Sequence, residues 1–309
     1  MSKIDLSIAT AVYNEEKNVE EFYRRLKKVI GSLNVSYEII ITDDGSSDST
    51  LLKLLAIRKS DKNVKILSLS RNFGHEAAVT AALDHTSGEV VVLMDSDLQD
   101  LPEFIPQMLT KLAEGYDVVY AQHPNRKDPF VMKLFSGFFY RLLDRLASYK
   151  IPIYVGAFSA MRRPVVKVLS EMTERNRFVA GLRSWVGFRQ VGILYEKQAR
   201  FAGKQTQTLR KLTNMALDAL FSFSYIPLRL ATLSGILVAI GTFFVILNVL
   251  YQKFIVHTAI IGWAGPMLSI LIVGGAQLAI LGIIGEYLGR IYDEVKRRPY
   301  YIVSSKTGF

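Results

Sequence analysis

Cysteine is absent from the 309 residues. That excludes a disulfide framework and thiolate-bound metals, and it accords with a reducing compartment. Two phosphate-cradling loops are missing as well. No Gly-x-Gly-x-x-Gly follows the first strand-like run and no Gly-Lys-Ser/Thr loop occurs, which disfavours a dinucleotide fold and a P-loop. The opening stretch MSKIDLSIATAVYNEE lacks the long apolar core of a secretory signal, so the first half is expected to fold in the cytosol. Negative charge is scarce: 28 acidic residues face 38 Lys and Arg, for a net charge of +10. An anionic partner is therefore expected, whether nucleic acid, acidic lipid or a phosphorylated substrate.

Charge of either sign is missing from two long stretches near the C-terminus. Leu230–Tyr251 is 22 residues without a charge; as a helix it would reach about 33 Å, enough to cross a bilayer. Thr258–Gly285 is a second such run, with Pro266 near its start. Arg200, Lys204, Arg210, Lys211 and Arg229 precede the first run, and Arg290, Lys296, Arg297 and Arg298 follow the second. The connection offers only Lys253 and His257. Positive flanks stay inside, so the pattern predicts a multi-pass inner (plasma) membrane protein with a hairpin over 226–290 and a tail, 291–309. Both termini are expected in the cytoplasm. The clustering of arginines beside these segments argues against a nucleic-acid partner.

The first 125 residues alternate strand-like and helix-like segments. IDLSIATAVYN, YEIIITDDGS, VKILSLS, EVVVLMD and YDVVYAQ read as strands. Between them, Val19, Phe22, Leu26 and Ile30 recur at helical spacing, a second helix runs through Leu51, Leu52 and Leu55, and HEAAVTAALDHT is a third. Alternation of this kind predicts an α/β fold with a mostly parallel sheet and helices on both faces. Ligands of such sheets bind beyond the carboxyl ends of the strands. Polar clusters stand there: Tyr13-Asn14-Glu15, Asp43-Asp44, Arg71-Asn72 and Asp95 to Gln99. Pro129 to Tyr149 is amphipathic, with an aromatic-rich stripe flanked by Lys133, Arg141 and Arg145. It suits a core-packed helix or one lying in a membrane interface.

The stretch VVLMDSDLQD crowds carboxylates at a strand exit. In extended backbone, residues i and i+2 point the same way, so Asp95, Asp97 and Gln99 are expected to converge. Oxygen ligands of this kind suit Mg²⁺ or Mn²⁺ neutralising a diphosphate. A calcium loop would want glycine where Asp100 stands, and an Asp-x-Asp-x-Thr phosphatase would want Thr or Val where Gln99 stands.

TAVYNEEKNV, IIITDDGSSDST, LSRNFGHEAAVTAALDHTSGEVVVLMDSDLQDLPE and RNRFVAGLRSWVG together resemble the inverting GT-A glycosyltransferases of the dolichol-phosphate mannosyltransferase group. With the paired C-terminal runs, the chain is most similar to the bactoprenol glucosyltransferase-like members. The resemblance covers nearly the whole chain. It implies a GT-A (Rossmann-like) mixed sheet and metal-dependent, inverting transfer of a hexose, glucose favoured, from a nucleotide diphosphate sugar, UDP favoured. The acceptor implied is membrane undecaprenyl phosphate. Nucleotide-sugar, polyprenyl-phosphate and lipid contacts are implied, and small residues at Gly285 and Gly289 predict a homo-oligomer. Four parts are expected: a nucleotide-sugar-binding core over 1–125, an acceptor-side region with juxtamembrane helices over 126–225, the hairpin and the tail. Ala11, Tyr13, Glu15, Asp43, Asp44, Arg71 and Asp95 match donor-binding positions, and Asp97 and Gln99 the metal ligands. Arg126, Arg200, Lys204 and Arg210 are the acceptor-phosphate candidates, within a wider basic pool that includes Arg175, Arg177 and Arg183. Asp95 and Asp97 carry the expected catalytic role. The chain departs from the group at VGAF, where Ala157 stands in place of an expected catalytic Asp, and at Gln205-Thr206, where Ser-Lys is usual. The rival readings are a non-catalytic scaffold that kept the fold and a processive polysaccharide synthase; the Gln-x-x-Arg-Trp sequence of the latter does not occur.

Overall fold

A strand made almost wholly of apolar residues is stable only where both faces are covered. Leu6–Val12 (β1), Tyr37–Asp43 (β2), Val64–Leu69 (β3) and Val90–Leu93 (β4) approach this with apolar runs at their centres, and nearly every residue in them is buried. They pair in parallel in the order β3-β2-β1-β4 in the computed structural model, which describes residues 4–122, 155–175, 177–195, 226–256 and 264–309. Val118–Gln122 (β5), Val155–Arg162 (β6) and Gln190–Leu194 (β7) extend the sheet beyond β4, and Val303–Thr307 (β8) closes its other edge. The full order is β7-β5-β6-β4-β1-β2-β3-β8. β6 runs antiparallel to β4 and β5, and β8 antiparallel to β3; the remaining pairs are parallel. The mixed, mostly parallel sheet expected from the sequence is present.

Helices cover the sheet because their apolar residues recur on one side. Val19–Gly31 (α1) buries Val19, Phe22, Leu26 and Ile30, the four positions spaced for it in the sequence. Thr50–Ser60 (α2) buries Thr50, Leu54 and Ile57, while Leu52 is 71% exposed. Leucine pairs flank Lys53 on both sides, so periodicity alone could not choose the face; contact with β3 and α1 does. His75–Asp84 (α3) is buried over almost its whole middle. Ile105–Ala113 (α4) lies against β5 and β6. Arg163–Glu171 (α5) and Val179–Trp185 (α6) follow β6 and pack on it.

Among the described residues, one compact unit comprises 4–122, 155–175, 177–195 and 298–309. The sheet thus takes three strands from beyond residue 125, including one from the tail. The second unit is dominated by Ile226–Phe254 (α7) and Ala264–Val295 (α8), which pack against each other. Their outer faces are apolar: Leu237 is 61% and Leu278 72% exposed. Among the described residues, one helix, Ile272–Val295, is long and apolar enough to cross a membrane; Ala231–Val245 is a shorter apolar segment. The second uncharged run was expected from Thr258. Its helix begins at Ala264, has Pro266 in the first turn where a missing N–H costs nothing, and continues past Gly285 to Val295. The amphipathic stretch at 129–149 lies outside the described residues.

Candidate active site

Parallel alignment brings the carboxyl ends of β1, β2 and β3 to one edge, with Val12 beside Asp43 and Asp43 beside Ser68. β4 stops earlier, its Leu93 level with Ala9. The chain beyond β4 stays alongside β1: the Met94 amide donates to the Ala9 carbonyl at 3.2 Å and Ser96 Oγ to the Ala11 carbonyl at 3.0 Å. Side chains join the remaining loops. Asn14 N donates to Ser46 Oγ at 3.0 Å, and Asn14 Oδ1 accepts from the Ser47 amide at 2.8 Å. These bonds tie the turn after β1 to the turn after β2. Glu15 N donates to Thr50 Oγ1 at 2.9 Å, and its carboxylate accepts from Asn18. Tyr13, 47% exposed, stands at the rim.

Asp43 and Asp44 are both buried. Burial pushes the Asp43 carboxyl up, against a hydrogen bond from the Ser46 amide. Burial also pushes the Asp44 carboxyl up, opposed by the amides it accepts: Phe73 N at 2.8 Å on Oδ1 and Gly74 N at 3.0 Å on Oδ2. Asp44 thus fastens the loop that follows β3. That loop carries Arg71, whose guanidinium lies 4.1 Å from the Phe73 ring and whose Nη1 donates to the Asn72 carbonyl. The approach is close enough to require glycine at position 45. Gly45 has φ +70°, and a Cβ there would lie 2.7 Å from the carbonyl carbon of Arg71.

The acidic turn does not have the extended geometry expected of it. β4 ends at Leu93 and Leu98 takes a left-handed φ of 61°, so strand alternation does not aim Asp95, Asp97 and Gln99 to one side. Asp97 folds back instead, its Oδ1 accepting the Gln99 amide at 3.0 Å. Tyr195, the residue after β7, braces the turn: its hydroxyl donates to the Gln99 carbonyl at 2.9 Å and accepts the Leu101 amide at 2.7 Å. Burial pushes that hydroxyl up to about 12. His75 Nε2 stands 3.4 Å from Asp95 Oδ1, an ion pair when the ring is protonated. The contact falls short of a hydrogen bond, leaving that buried oxygen unpartnered among the described residues. No cluster of three His, Cys, Asp or Glu side chains set for a metal exists among the described residues. A Mg²⁺ or Mn²⁺ site does not require one, since Mg²⁺ is commonly held by one or two carboxylates with phosphate oxygens and water completing its shell. Asp95 and Asp97 are compatible with that donor set.

Ala157 lies on β6. Leu93, the last residue of β4, pairs with Ser159, two residues after Ala157. The basic pool divides. Arg183 is enclosed, Arg177 is buried with Nη2 donating to the Leu169 carbonyl, and half-buried Arg175 donates to the Pro299 carbonyl. Arg126, Arg200, Lys204 and Arg210 lie outside the described residues. Sequence reasoning passed over His75, Glu76 and Tyr195. His75 and Glu76 sit in a stretch whose helical pattern was legible. Tyr195 reaches the acidic turn from 94 residues away, and nothing local signals such a contact. Glu76, its carboxyl pushed up by burial, accepts the Val179 amide at 3.0 Å and joins α3 to α6.

Residues 7–170 match the family described as Glycosyl transferase family 2. An uncharacterized glycosyltransferase of Synechocystis sp. is 42% identical over 312 residues, covering 99% of this chain and 96% of that one. The bactoprenol glucosyl transferase of Shigella phage SfX is 37% identical over 302 residues, covering 97% of this chain and 99% of that protein. Glucosyl-3-phosphoglycerate synthase from Mycobacterium tuberculosis, in complex with phosphoglyceric acid, is 20% identical with a TM-score of 0.48, over 71% of this chain and 78% of that one.

Proposed function

The chain belongs to glycosyl transferase family 2 and is a glycosyltransferase, and from that premise we propose that it transfers a glucosyl unit from UDP-glucose to a membrane polyprenyl phosphate. The observation that carries this reading is the end-to-end likeness to proteins named bactoprenol glucosyl transferase, which extends through the C-terminal helices. The site supports it. Four loops, after β1, β2, β3 and β4, are tied together at one sheet edge, where a nucleotide sugar would bind. Tyr13, Glu15 and Arg71 are the side chains offered to the nucleotide, with Ala11 and Asp43 beneath and Asp44 holding the Arg71 loop. Asp95 and Asp97, with Gln99, would hold Mg²⁺ or Mn²⁺, which when bound neutralises the charge of the departing diphosphate.

The acceptor oxygen belongs to a phosphate monoester, whose second pKa of about 6 leaves it ionised at neutral pH. It can attack the anomeric carbon in a single inverting displacement without first losing a proton. The protein's work is then to hold two anions together. Arg126, Arg200, Lys204 and Arg210 are assigned to the acceptor phosphate.

We place α7 and α8 in the inner membrane as a hairpin. In sequence, both of its ends join segments of the same α/β unit, and both flanks are basic, which favours a cytoplasmic catalytic unit and termini. We propose the four-part division by sequence with it: a donor core over 1–125, to whose sheet β6, β7 and β8 are added, an acceptor region over 126–225, the hairpin over 226–290 and the tail. The small-residue spacing of Gly285 and Gly289 on α8 lets helices approach closely and favours a homo-oligomer, readable as a mass above the monomer in mild detergent. Membranes containing the chain, given a panel of labelled nucleotide sugars and then extracted for lipid, test the donor. Label is expected in the lipid from UDP-glucose; transfer from a different donor, or only into water-soluble product, would overturn the assignment.

A further inference from the structure

Arg183 is the bulkiest fully buried side chain among the described residues, 1% exposed. Its Nε and Nη2 have no hydrogen-bond partner there, and its Nη1 is 3.4 Å from the carbonyl of Gly156. The guanidinium lies 4.9 Å from the centre of the Tyr120 ring. Burial pulls its pKa down to about 10, and no carboxylate among the described residues pairs with it. An enclosed guanidinium without a counter-charge is costly, because two donors and a full charge have left water for nothing.

Its position identifies what the site lacks. Tyr120 pairs with Ser159, so their side chains share a face of the sheet; the register then shifts before Gln122, which pairs with Val155, so Ala157 lies in the irregular stretch of β6 beside them. Phe158, just before Ser159, turns the other way, toward the rings of Phe104 and Tyr195. α6 packs on β6 and holds Arg183 against that face. The carbonyl its Nη1 approaches belongs to the peptide that enters Ala157. Ala157 therefore directly follows the carbonyl that Arg183 Nη1 approaches, and a short acid there would stand beside the enclosed guanidinium.

We propose that Arg183 is a carboxylate receptor facing position 157, and that this arginine is the positioning residue for any acid held there. The effect on transfer rests on the glucosyltransferase reading; the receptor itself does not. Its ligand class is one small carboxylate, supplied by a side chain at 157 or by a free anion such as formate.

The test uses the full chain purified in detergent, with thermal midpoint and sugar transfer measured in parallel. Ala157→Asp is expected to raise the midpoint by about 5 °C, and Ala157→Asn to leave it near the parent. In an Arg183→Met background, Ala157→Asp is expected to give no rise. Sodium formate, compared with sodium chloride at equal ionic strength, is expected to raise the midpoint of the parent but not of Ala157→Asp. Turnover should rise roughly tenfold in Ala157→Asp, with donor KM unchanged, and the gain should vanish with Arg183→Met. If Arg183→Met does not fold, Arg183→Lys replaces it, and the formate comparison on the parent decides alone. The proposal is overturned if Ala157→Asp lowers the midpoint, if its effect is the same with and without Arg183, or if formate acts like chloride. A formate-responsive, acid-stabilised protein that transfers no sugar would uphold the receptor and refute the activity.

Discussion

Replacing Asp44 with Asn separates a residue that shapes the donor pocket from one that touches the donor. Asp44 is 2% exposed, and its two oxygens accept the Phe73 and Gly74 amides at 2.8 and 3.0 Å. Hydrogen bonds to a charged group contribute about 1.5–3 kcal/mol each. An amide keeps one acceptor oxygen and turns its NH₂ toward the second backbone N–H, donor against donor. The expected loss is therefore about 2–4 kcal/mol, or roughly 5–15 °C in melting temperature for a domain of this size. Arg71 rides on the loop that Asp44 holds, so the donor KM should rise several-fold while kcat changes less. Thermal melting of the purified chain, with steady-state kinetics at fixed acceptor, reads both. An Asp44→Asn protein that melts like the parent but no longer binds nucleotide would refute this reasoning and place the carboxylate on the ligand.

Gly45→Ala should destabilise by about 2–4 kcal/mol, since a left-handed φ and a backbone atom 2.7 Å from the new Cβ both oppose it; a chemical denaturation curve measures this. Tyr195→Phe removes the hydroxyl that joins Gln99 to Leu101, and should cost about 1–2 kcal/mol and raise the metal concentration needed for half-maximal transfer. Asp97→Ala should abolish transfer and weaken donor binding in Mg²⁺ or Mn²⁺; full activity in excess chelator would contradict the metal assignment. Glu38 is buried, but the bond from Lys65 at 2.7 Å and those from Ser7 and Ser87 outweigh burial and draw its carboxyl below its ordinary value of 4.5. Its contribution is present above pH 4.5 and lost as pH falls through the lower, folded-state pKa. Glu38→Gln should cost about 3–5 kcal/mol at neutral pH and flatten that acid limb of the stability profile.

The central strands and α1 were legible because burial on both sides of a strand, or on one side of a helix, leaves a pattern within a few residues. β1 to β5 and the face of Val19, Phe22, Leu26 and Ile30 are of this kind. The four loops at the sheet edge were legible for the same reason: each is a polar cluster where an apolar run ends. β8 was not, because VSSKT is a polar edge strand paired through its backbone and carries no hydrophobic alternation. The acidic turn was read as extended, since nothing in DSDLQD announces that Leu98 adopts a left-handed conformation. Arg183 was placed in the basic pool for the acceptor phosphate on charge alone. Its enclosure against β6 depends on the fold, which charge counting does not see.

The central claim is chemical, and one product decides it. Purified chain, undecaprenyl phosphate, UDP-glucose and Mg²⁺ are incubated together, and the extracted lipid is examined by mass spectrometry and by NMR of the anomeric proton. The account predicts a lipid heavier by one hexosyl unit, linked through the phosphate, with the anomeric configuration opposite to that of the donor and none formed by Asp97→Ala. A retained configuration, a polymer of several hexoses, or an unmodified lipid beside released glucose would contradict it.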